Sequence, residues 1–173
     1  LFHADSEATG RRFASFTSVT HRRYGDLRMG RWRPHGDEQW GKIPWVVRTE
    51  SDGQTVADVA DSNEVPHLQP GTGYDQTDVG QKLRFGGLER HVELNLQHST
   101  GSNVTRFDRL NDADTGGGPK WAPWGYGPQR RSLVSLRLRS PVRGLGNVTL
   151  TPYWQQVEES RLKARFGSQE REV

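Results

Sequence analysis

Residues Leu88–His98 alternate between apolar and polar side chains with a period of two. Because the side chains of a β-strand point alternately to opposite faces, this pattern predicts a strand with an apolar medium on one side and water on the other. Residues Arg130–Ser140 show the same pattern. The apolar positions are Leu88, Val92, Leu94, Leu96, Val134, Leu136 and Leu138, and the polar positions are Glu89, His91, Glu93, Asn95, Gln97, Arg131, Ser135, Arg137 and Arg139.

Four further segments predict strands, and the connections between strands differ sharply in length. These strands are residues 1–6, Arg11–Tyr24, Gly73–Phe85 and Val148–Ser160. Short turns are predicted at Glu7–Gly10, Gly86–Gly87 and Pro141–Asn147, and long irregular connections at 25–72 and 99–128, with a hairpin arm at Ile43–Thr49. We expect the charged tail, Arg161–Val173, to lead out of the last strand.

Short and long connections alternate strictly, so in an antiparallel sheet all the short ones lie at one end. Outer-membrane barrels show this asymmetry, with short periplasmic turns and long extracellular loops. A soluble β-sandwich would pack its apolar face on a second sheet, and its loops are rarely so unequal. The pattern therefore predicts an all-β fold: an antiparallel, up-and-down transmembrane β-barrel segment of about five or six strands with long extracellular loops.

The composition agrees with a sheet that does not enclose a dry core. Only 31% of the residues are apolar and the mean hydropathy is −0.88. The absence of cysteine excludes disulfides and cysteine-based metal sites. The 24 basic and 21 acidic residues are interspersed, without the basic stripe of a nucleic-acid-binding protein.

An aromatic segment lies between the two clearest strands, within Asn103–Arg131. Trp121, Trp124 and Tyr126 stand there among glycines and prolines, a composition that predicts a loop rather than a helix or a core strand. Large rings on a loop held by two strands can contact a ligand or a host protein. They can equally fold back on the loop, seal the barrel mouth or belong to an aromatic girdle. Both interpretations stay open.

Several motifs resemble those of TonB-dependent outer-membrane receptors, most closely the haem, haemoglobin and transferrin/lactoferrin receptor group. The run Arg106-Phe107-Asp108-Arg109-Leu110 is similar to an R-Y-D-R-L motif of that family. The run Trp124–Arg130 is similar to its W-Y-Y-G-P-Q motif with a following basic residue. Phe107 and Gly125 stand where the family usually has tyrosine. Further similar pieces, in the family's order, are Tyr24–Gly30, Thr72–Gln76, Glu158–Arg161 and Arg165–Gly167.

The resemblance implies that residues 1–173 are a partial receptor barrel domain within a barrel of about 22 strands. The plug domain, the TonB box and the C-terminal strands would lie outside this chain. The implied function is active uptake of an iron-bearing ligand across the outer membrane of a Gram-negative bacterium. The implied partners are the TonB complex, acting through the plug, the extracellular ligand, outer-membrane lipid and lipopolysaccharide.

Candidate ligand-binding residues follow from the loops and the resemblance. They are Trp121, Trp124, Tyr126, His35 and His67. Haem takes an axial donor that is commonly His or Tyr, and His98 at the end of a strand is a further candidate donor. Haem or a ferric chelate is expected as transported ligand, with no intrinsic cofactor. The aspartates of the 111–118 segment lack the glycine and closing glutamate of a calcium loop, so no metal ligand is assigned.

No catalytic residues are expected, because no Ser/His/Asp order or phosphate-binding loop appears in the sequence. Two other classes of protein share some of these features. A soluble β-sandwich that binds carbohydrate or mediates adhesion also presents aromatic loops on a polar β surface. A passive porin has the same strand pattern without a plug.

Overall fold

The computed structural model describes residues 1–30, 32, 34, 36–37, 41–42, 44–51 and 56–170 of the chain. The chain divides into two compact units. The first unit comprises Leu1–Arg23, Asp75–Gly101 and Gln129–Glu158, and the second comprises Tyr24–Tyr74, Ser102–Pro128 and Glu159–Val173. Strands account for 63% of the protein and helix for 3%, which confirms the predicted all-β class with antiparallel sheets.

Fourteen strands and one short helix follow one another along the described chain. In order they are β1 (Phe2–Thr9), β2 (Phe13–Tyr24), β3 (Leu27–Arg28), β4 (Trp45–Ser51), β5 (Val56–Ser62), β6 (Leu68–Gln69), β7 (Tyr74–Gly86), β8 (His91–Gly101), β9 (Val104–Thr105), α1 (Phe107–Leu110), β10 (Trp121–Tyr126), β11 (Arg130–Val142), β12 (Gly146–Leu150), β13 (Tyr153–Glu158) and β14 (Arg161–Arg165).

The first unit is one antiparallel sheet, the large sheet, whose strands lie in chain order β1-β2-β7-β8-β11. At the far side of β11, β12 pairs with its second half and β13 with its first half, so together they form the last edge. The turns at 10–12, 87–90 and 143–145 are short, and the connections at 25–73 and 102–129 are long. The predicted meander with alternating connection lengths is confirmed. Two details were wrong: the predicted strand Val148–Ser160 is divided into β12 and β13, and the predicted turn Glu7–Gly10 belongs to β1 as far as Thr9.

The strand registers confirm that the large sheet has one mainly apolar and one mainly polar face. Leu96 lies opposite Val134, Leu94 opposite Leu136 and Val92 opposite Leu138. The same face, here called the apolar face, continues to Leu83 and Phe85 on β7 and to Leu150 and Trp154 at the other edge. On the polar face, Glu93 lies opposite Arg137 and pairs with it at 3.6 Å.

The large sheet has no buried core among the residues that the structure describes. Every described residue of the first unit is exposed or half-buried. On the apolar face, Phe85 is 52% exposed, Trp154 53% and Leu150 61%. This apolar surface is exposed on a single layer, whereas a water-soluble sheet buries such a face against another layer.

The turn between β7 and β8 is longer than predicted. Strand β7 runs through Gly86, which pairs with His91, so residues 87–90 form the turn instead of Gly86–Gly87 alone. Gly86 has a φ of 117°, and a side chain there would collide with the carbonyl of Arg90. The assignment of Leu88 to the strand was therefore wrong: Leu88 lies in the turn and is 85% exposed.

The segment 25–72, predicted to be irregular apart from a hairpin arm, contains four strands of the second unit. Strands β4 and β5 form an antiparallel hairpin from Trp45 opposite Ser62 to Ser51 opposite Val56. The predicted hairpin arm is confirmed for residues 45–49, while Ile43 lies outside the described residues. Strands β3 and β6 pair through two residues each.

The expectation that the tail leads out of the last strand was wrong, because β14 folds back onto β10. Strands β14-β10-β9 form a second sheet, here called the small sheet. Arg161, Lys163 and Arg165 alternate with Leu162 and Ala164, and Ala164 is buried. The tail thus has the two-residue period of a strand in spite of its charge.

Residues 121–126, predicted to be too rich in Gly and Pro for a core strand, form the central strand of the small sheet. The register shifts between Trp121 and Trp124, at the position of Pro123, and such an irregularity accommodates a residue without an N–H. Gly125 meets β9 so closely that a Cβ on it would lie 2.6 Å from the carbonyl oxygen of Val104. Glycine at 125 therefore permits this strand contact.

We expect Gly125→Ala to lower the free energy of unfolding by about 1–3 kcal/mol, because the added methyl must displace backbone of β9. The matched control is Gly25→Ala, since no atom lies within 4 Å of a Cβ there. Urea unfolding, followed by tryptophan fluorescence, measures both. Equal midpoints for the two variants would contradict the close approach of β9 and β10.

Candidate functional site

The small sheet presents three aromatic residues directly opposite three cations. Trp121 lies opposite Arg165, Trp124 opposite Lys163 and Tyr126 opposite Arg161. These six residues are here called the aromatic–cation face. The two-residue period of β14 brings its cations to one side, and Leu162 and Ala164 point to the other.

The two tryptophans form the packed centre of this face. Their ring centroids are 4.4 Å apart with an interplanar angle of 89°, the edge-to-face arrangement that aromatic pairs favour. The Lys163 ammonium lies 5.3 Å from each ring centroid, and the Arg165 guanidinium lies 5.8 Å from that of Trp121. Trp121 is only 8% exposed, and its Nε1–H donates to Asp112 Oδ2 at 3.3 Å. Most of the surface of the Trp121 ring is thus covered by other residues of the protein.

The Arg106–Leu110 motif packs directly against Trp124. The Arg106 amide donates to the Trp124 carbonyl at 2.8 Å, and the two guanidinium carbons of the motif, those of Arg106 and Arg109, lie 5.8 and 5.5 Å from the Trp124 ring centroid. Arg106 also donates two hydrogen bonds to the carboxylate of Asp108, at 2.7 and 3.0 Å. These hydrogen bonds hold the pKa of Asp108 below its usual value. The two motifs on which the resemblance rests are therefore in contact.

Two of the predicted ligand-binding residues, Trp124 and Tyr126, line one cavity of about 340 Å³ within the second unit. The Trp45 indole N–H donates to the carbonyl of Leu110 at 2.9 Å, which fixes one wall of the cavity. Its volume and mainly apolar lining are typical of a site for a small molecule or for part of a larger ligand. The lining residues are Trp45, Val46, Val47, Thr49, Pro70, Gly71, Asn103, Val104, Thr105, Leu110, Ala122, Trp124, Gly125, Tyr126 and Leu162.

Neither of the histidine candidates that the structure describes, His67 and His98, lines this cavity. His67 is half-buried and lines a different cavity with Lys42, Pro44, Pro66 and Asn111. His98 lies in the large sheet, where its Nδ1 and Ser132 Oγ are hydrogen-bonded at 2.9 Å. His35 lies outside the described residues. Ligand binding by His35, His67, Trp121, Trp124 and Tyr126 stays a prediction.

The Asp-containing turn after α1 is held by the protein itself. The Asp114 carboxylate accepts the amides of Gly116 and Gly118 at 2.9 and 3.0 Å, so it closes an Asx-type turn. Among the described residues, no group of three or more His, Cys, Asp or Glu side chains is arranged to hold a metal ion.

Four residues of this region were missed as site residues, and each had a signal in the sequence. Arg161, Lys163 and Arg165 stand in an alternating segment, but the high charge of the tail favoured an exit from the fold. Trp45 begins the run Trp45-Val46-Val47, which favours a strand. What the sequence does not specify is that the tail, the hairpin and the aromatic segment meet.

The Arg106–Asp108 pair predicts a pH-dependent stability difference between the wild type and Asp108→Asn. Because the pKa of Asp108 is lower in the folded chain, the stabilisation is complete above its unfolded pKa of about 3.9 and is lost as the pH falls through its folded pKa. Since the carboxylate is half exposed, we expect at most about 1 kcal/mol at pH 7, diminishing below about pH 4.

Urea unfolding of both proteins at pH 7, 5, 4 and 3 measures this difference. An Arg106→Gln background is the control, since without the guanidinium the Asp108→Asn effect at pH 7 should largely vanish. A difference that is independent of pH, or that survives in the control background, would contradict the role given to the pair.

Comparison with protein-family models, with characterised proteins and with solved structures found no match to the chain. In the part of the chain that the structure describes, no helix has the length and apolarity needed to cross a membrane. The function is therefore inferred from the large sheet and from the cavity beside Trp124.

Proposed function

We propose that the chain is part of a TonB-dependent outer-membrane receptor that takes up an iron-bearing ligand: haem, a siderophore or iron from a host protein. The observation that carries this proposal is the amphipathic single-layer sheet with alternating short and long connections. Its apolar face would contact lipid and its polar face a wet lumen, as in outer-membrane barrels.

The extent of the apolar face supports this assignment. On β11 it runs from Val134 to Val142, which spans about 26 Å along the strand. With a strand tilt of about 40°, it would cover roughly 20 Å of membrane depth, close to the ~25 Å apolar band of outer-membrane barrels. Towards the long connections the same face becomes polar, with His98 opposite Val79, Ser132 next to His98, and Arg130 paired with Glu158 at 3.9 Å.

Three polar side chains within the apolar face form hydrogen bonds with one another. Gln81 accepts a hydrogen bond from Thr17 at 2.6 Å and donates one to Ser15 at 3.0 Å. This matters in lipid, because an unpaired polar group there costs several kcal/mol. The cluster is thus compatible with a face in contact with hydrocarbon.

In the proposed receptor, the long connections lie on the extracellular side and the ligand is taken from there. The cavity beside Trp124 and Tyr126 is suited to an apolar or planar part of the ligand, because its lining is mainly apolar and partly aromatic. Energy for transport would reach a plug domain, outside this chain, through the TonB complex. Transport involves no covalent step, so the receptor is not an enzyme.

Neighbouring residues on β12 provide the test of the membrane assignment. Leu150 lies on the apolar face, opposite Leu138, and Thr149 lies on the polar face, opposite Arg139; both are exposed. The chain has no cysteine, so Leu150→Cys and Thr149→Cys each introduce a single labelling site into it. In the full-length protein reconstituted into vesicles, a nitroxide on the lipid acyl chains should quench a fluorophore at 150 and spare one at 149.

Absence of quenching at both positions, in a protein that stays monomeric in buffer without lipid or detergent, would favour the soluble β-sandwich. Equal quenching at both would contradict the division into a lipid face and a lumen face. A passive porin would show the same quenching pattern, but its uptake would not depend on the TonB complex.

Point variants separate ligand contact from assembly. We expect Trp121→Ala to impair assembly in the outer membrane, because the ring is buried and its loss costs roughly 3–5 kcal/mol. Tyr126→Leu should assemble normally and reduce uptake, because Tyr126 is 38% exposed and lines the cavity. Surface protein and iron-ligand uptake are measured in the same cells. Normal uptake by assembled Tyr126→Leu would remove Tyr126 from the ligand site.

A further inference from the structure

The three short turns of the large sheet carry an excess of positive charge at one end of the sheet. Four of the ten turn residues are arginines, namely Arg11, Arg12, Arg90 and Arg143. Glu89 is the single acidic residue in these turns. Each turn therefore contributes at least one guanidinium group, and all the turns lie at the same end because the strands form an antiparallel meander.

These guanidinium groups are exposed and have no partner among the described residues. None of the four makes an ion pair or a side-chain hydrogen bond with another described residue, although salt bridges form elsewhere in the sheet. All four residues are exposed. Their charge is thus available to a ligand outside the fold.

The same end of the sheet is apolar on one side. Arg90 borders a shallow depression on the apolar face, together with Phe85, Val92, Leu138 and Leu150. Leu88 and Leu145 stand in the turns beside Arg90 and Arg143, 85% and 76% exposed. Protein surfaces that bind at a membrane interface combine cations with exposed apolar side chains. The cations stay with the lipid headgroups, and the apolar side chains enter the boundary of the acyl chains.

We propose that the short-turn end of the large sheet binds the headgroups of anionic phospholipids in the leaflet that surrounds it, through Arg11, Arg12, Arg90 and Arg143. This inference rests on the proposed membrane function. Guanidinium groups bind phosphate oxygens through paired, charge-assisted hydrogen bonds. Successive turns are separated by two strand spacings, about 10 Å, so the arginines form a row along the sheet end rather than a pocket. A row suits the headgroups of a lipid surface better than one soluble anion.

The test uses the full-length protein in vesicles, with a fluorophore at Leu145→Cys in the third turn. Nitroxide-labelled phosphatidylglycerol and nitroxide-labelled phosphatidylcholine are compared as quenchers at equal mole fraction. Each arginine near a membrane surface is worth roughly a fivefold preference for anionic lipid. We therefore expect clearly stronger quenching by phosphatidylglycerol. Most of that preference should be lost in the triple variant Arg11→Gln, Arg90→Gln, Arg143→Gln, which keeps only Arg12 of the four turn arginines.

The matched control removes the same charge elsewhere, with Arg23→Gln, Arg28→Gln and Arg48→Gln, and should retain the preference. These arginines are exposed and lie outside the short turns. Replacing chloride by inorganic phosphate at equal ionic strength should leave the preference in place, because the row binds a surface of many headgroups. Loss of the preference in phosphate would mean that the turns bind a free anion and would overturn the assignment to lipid.

The fluorophore at Leu150→Cys in the same preparations distinguishes failure of this inference from failure of the proposed function. If the fluorophore at 150 is quenched but the two lipids quench the fluorophore at 145 equally, the headgroup site is overturned and the membrane assignment stays intact. A preference for phosphatidylglycerol that is undiminished in the triple variant also overturns it. No quenching at 150 removes the membrane assignment, and the headgroup site with it.

Discussion

The apolar face of the large sheet must be kept from water, and the stability of the first unit depends on what covers this face. Burial of apolar surface contributes about 25 cal/mol per Å², and a face left in water contributes none of it. No described residue of the first unit is buried, and large side chains such as Phe85 and Leu150 are exposed. A lipid phase would satisfy this face, while the opposite face, with its Glu93–Arg137 pair, suits water. A single solvent cannot satisfy both faces of one layer, which is why the proposal of a membrane barrel follows from the register of the strands rather than from any one residue.

The second unit keeps its apolar side chains from water by packing them on one another, as soluble domains do. All the residues that are buried in the described chain belong to it, including Trp121, Ala122 and Ala164. Its centre is a tryptophan pair surrounded by cations, and the carboxylates of Asp108 and Asp112 neutralise two of the arginines nearby. Stacking of cations on buried rings allows a charged strand such as β14 to lie at the edge of a packed core, because its long side chains cover the rings while their charged ends reach water.

The strands of the large sheet could be predicted to within a few residues because their two-residue period is a property of each strand by itself. The sequence pattern places Leu94 and Leu136 on the apolar face of their strands, and in the sheet they lie opposite each other on that face. Strand β10 could not be assigned from its own residues, and the two-residue period of β14 does not reveal that β14 pairs with β10. Pro123 and Gly125 have a low intrinsic preference for strands. The register shift that accommodates Pro123 and the close approach of Val104 to Gly125 arise only from tertiary contacts. Of the candidate site, the aromatic residues were found from composition, whereas Trp45 and the cations of β14 come to them only through the fold.

Contact between the two sequence motifs changes what each can do. The Arg106 amide donates a hydrogen bond to the Trp124 carbonyl, and its side chain lies over the Trp124 ring, so the two residues are linked through both backbone and side chain. A ring engaged in this way contributes shape and rigidity to the cavity wall more than a free surface for stacking. The resemblance to the receptor family therefore rests on residues whose first effect is to build the site. Choice of ligand would then fall to the more accessible lining, to Tyr126 and to the strand β4 that closes the cavity from the other side.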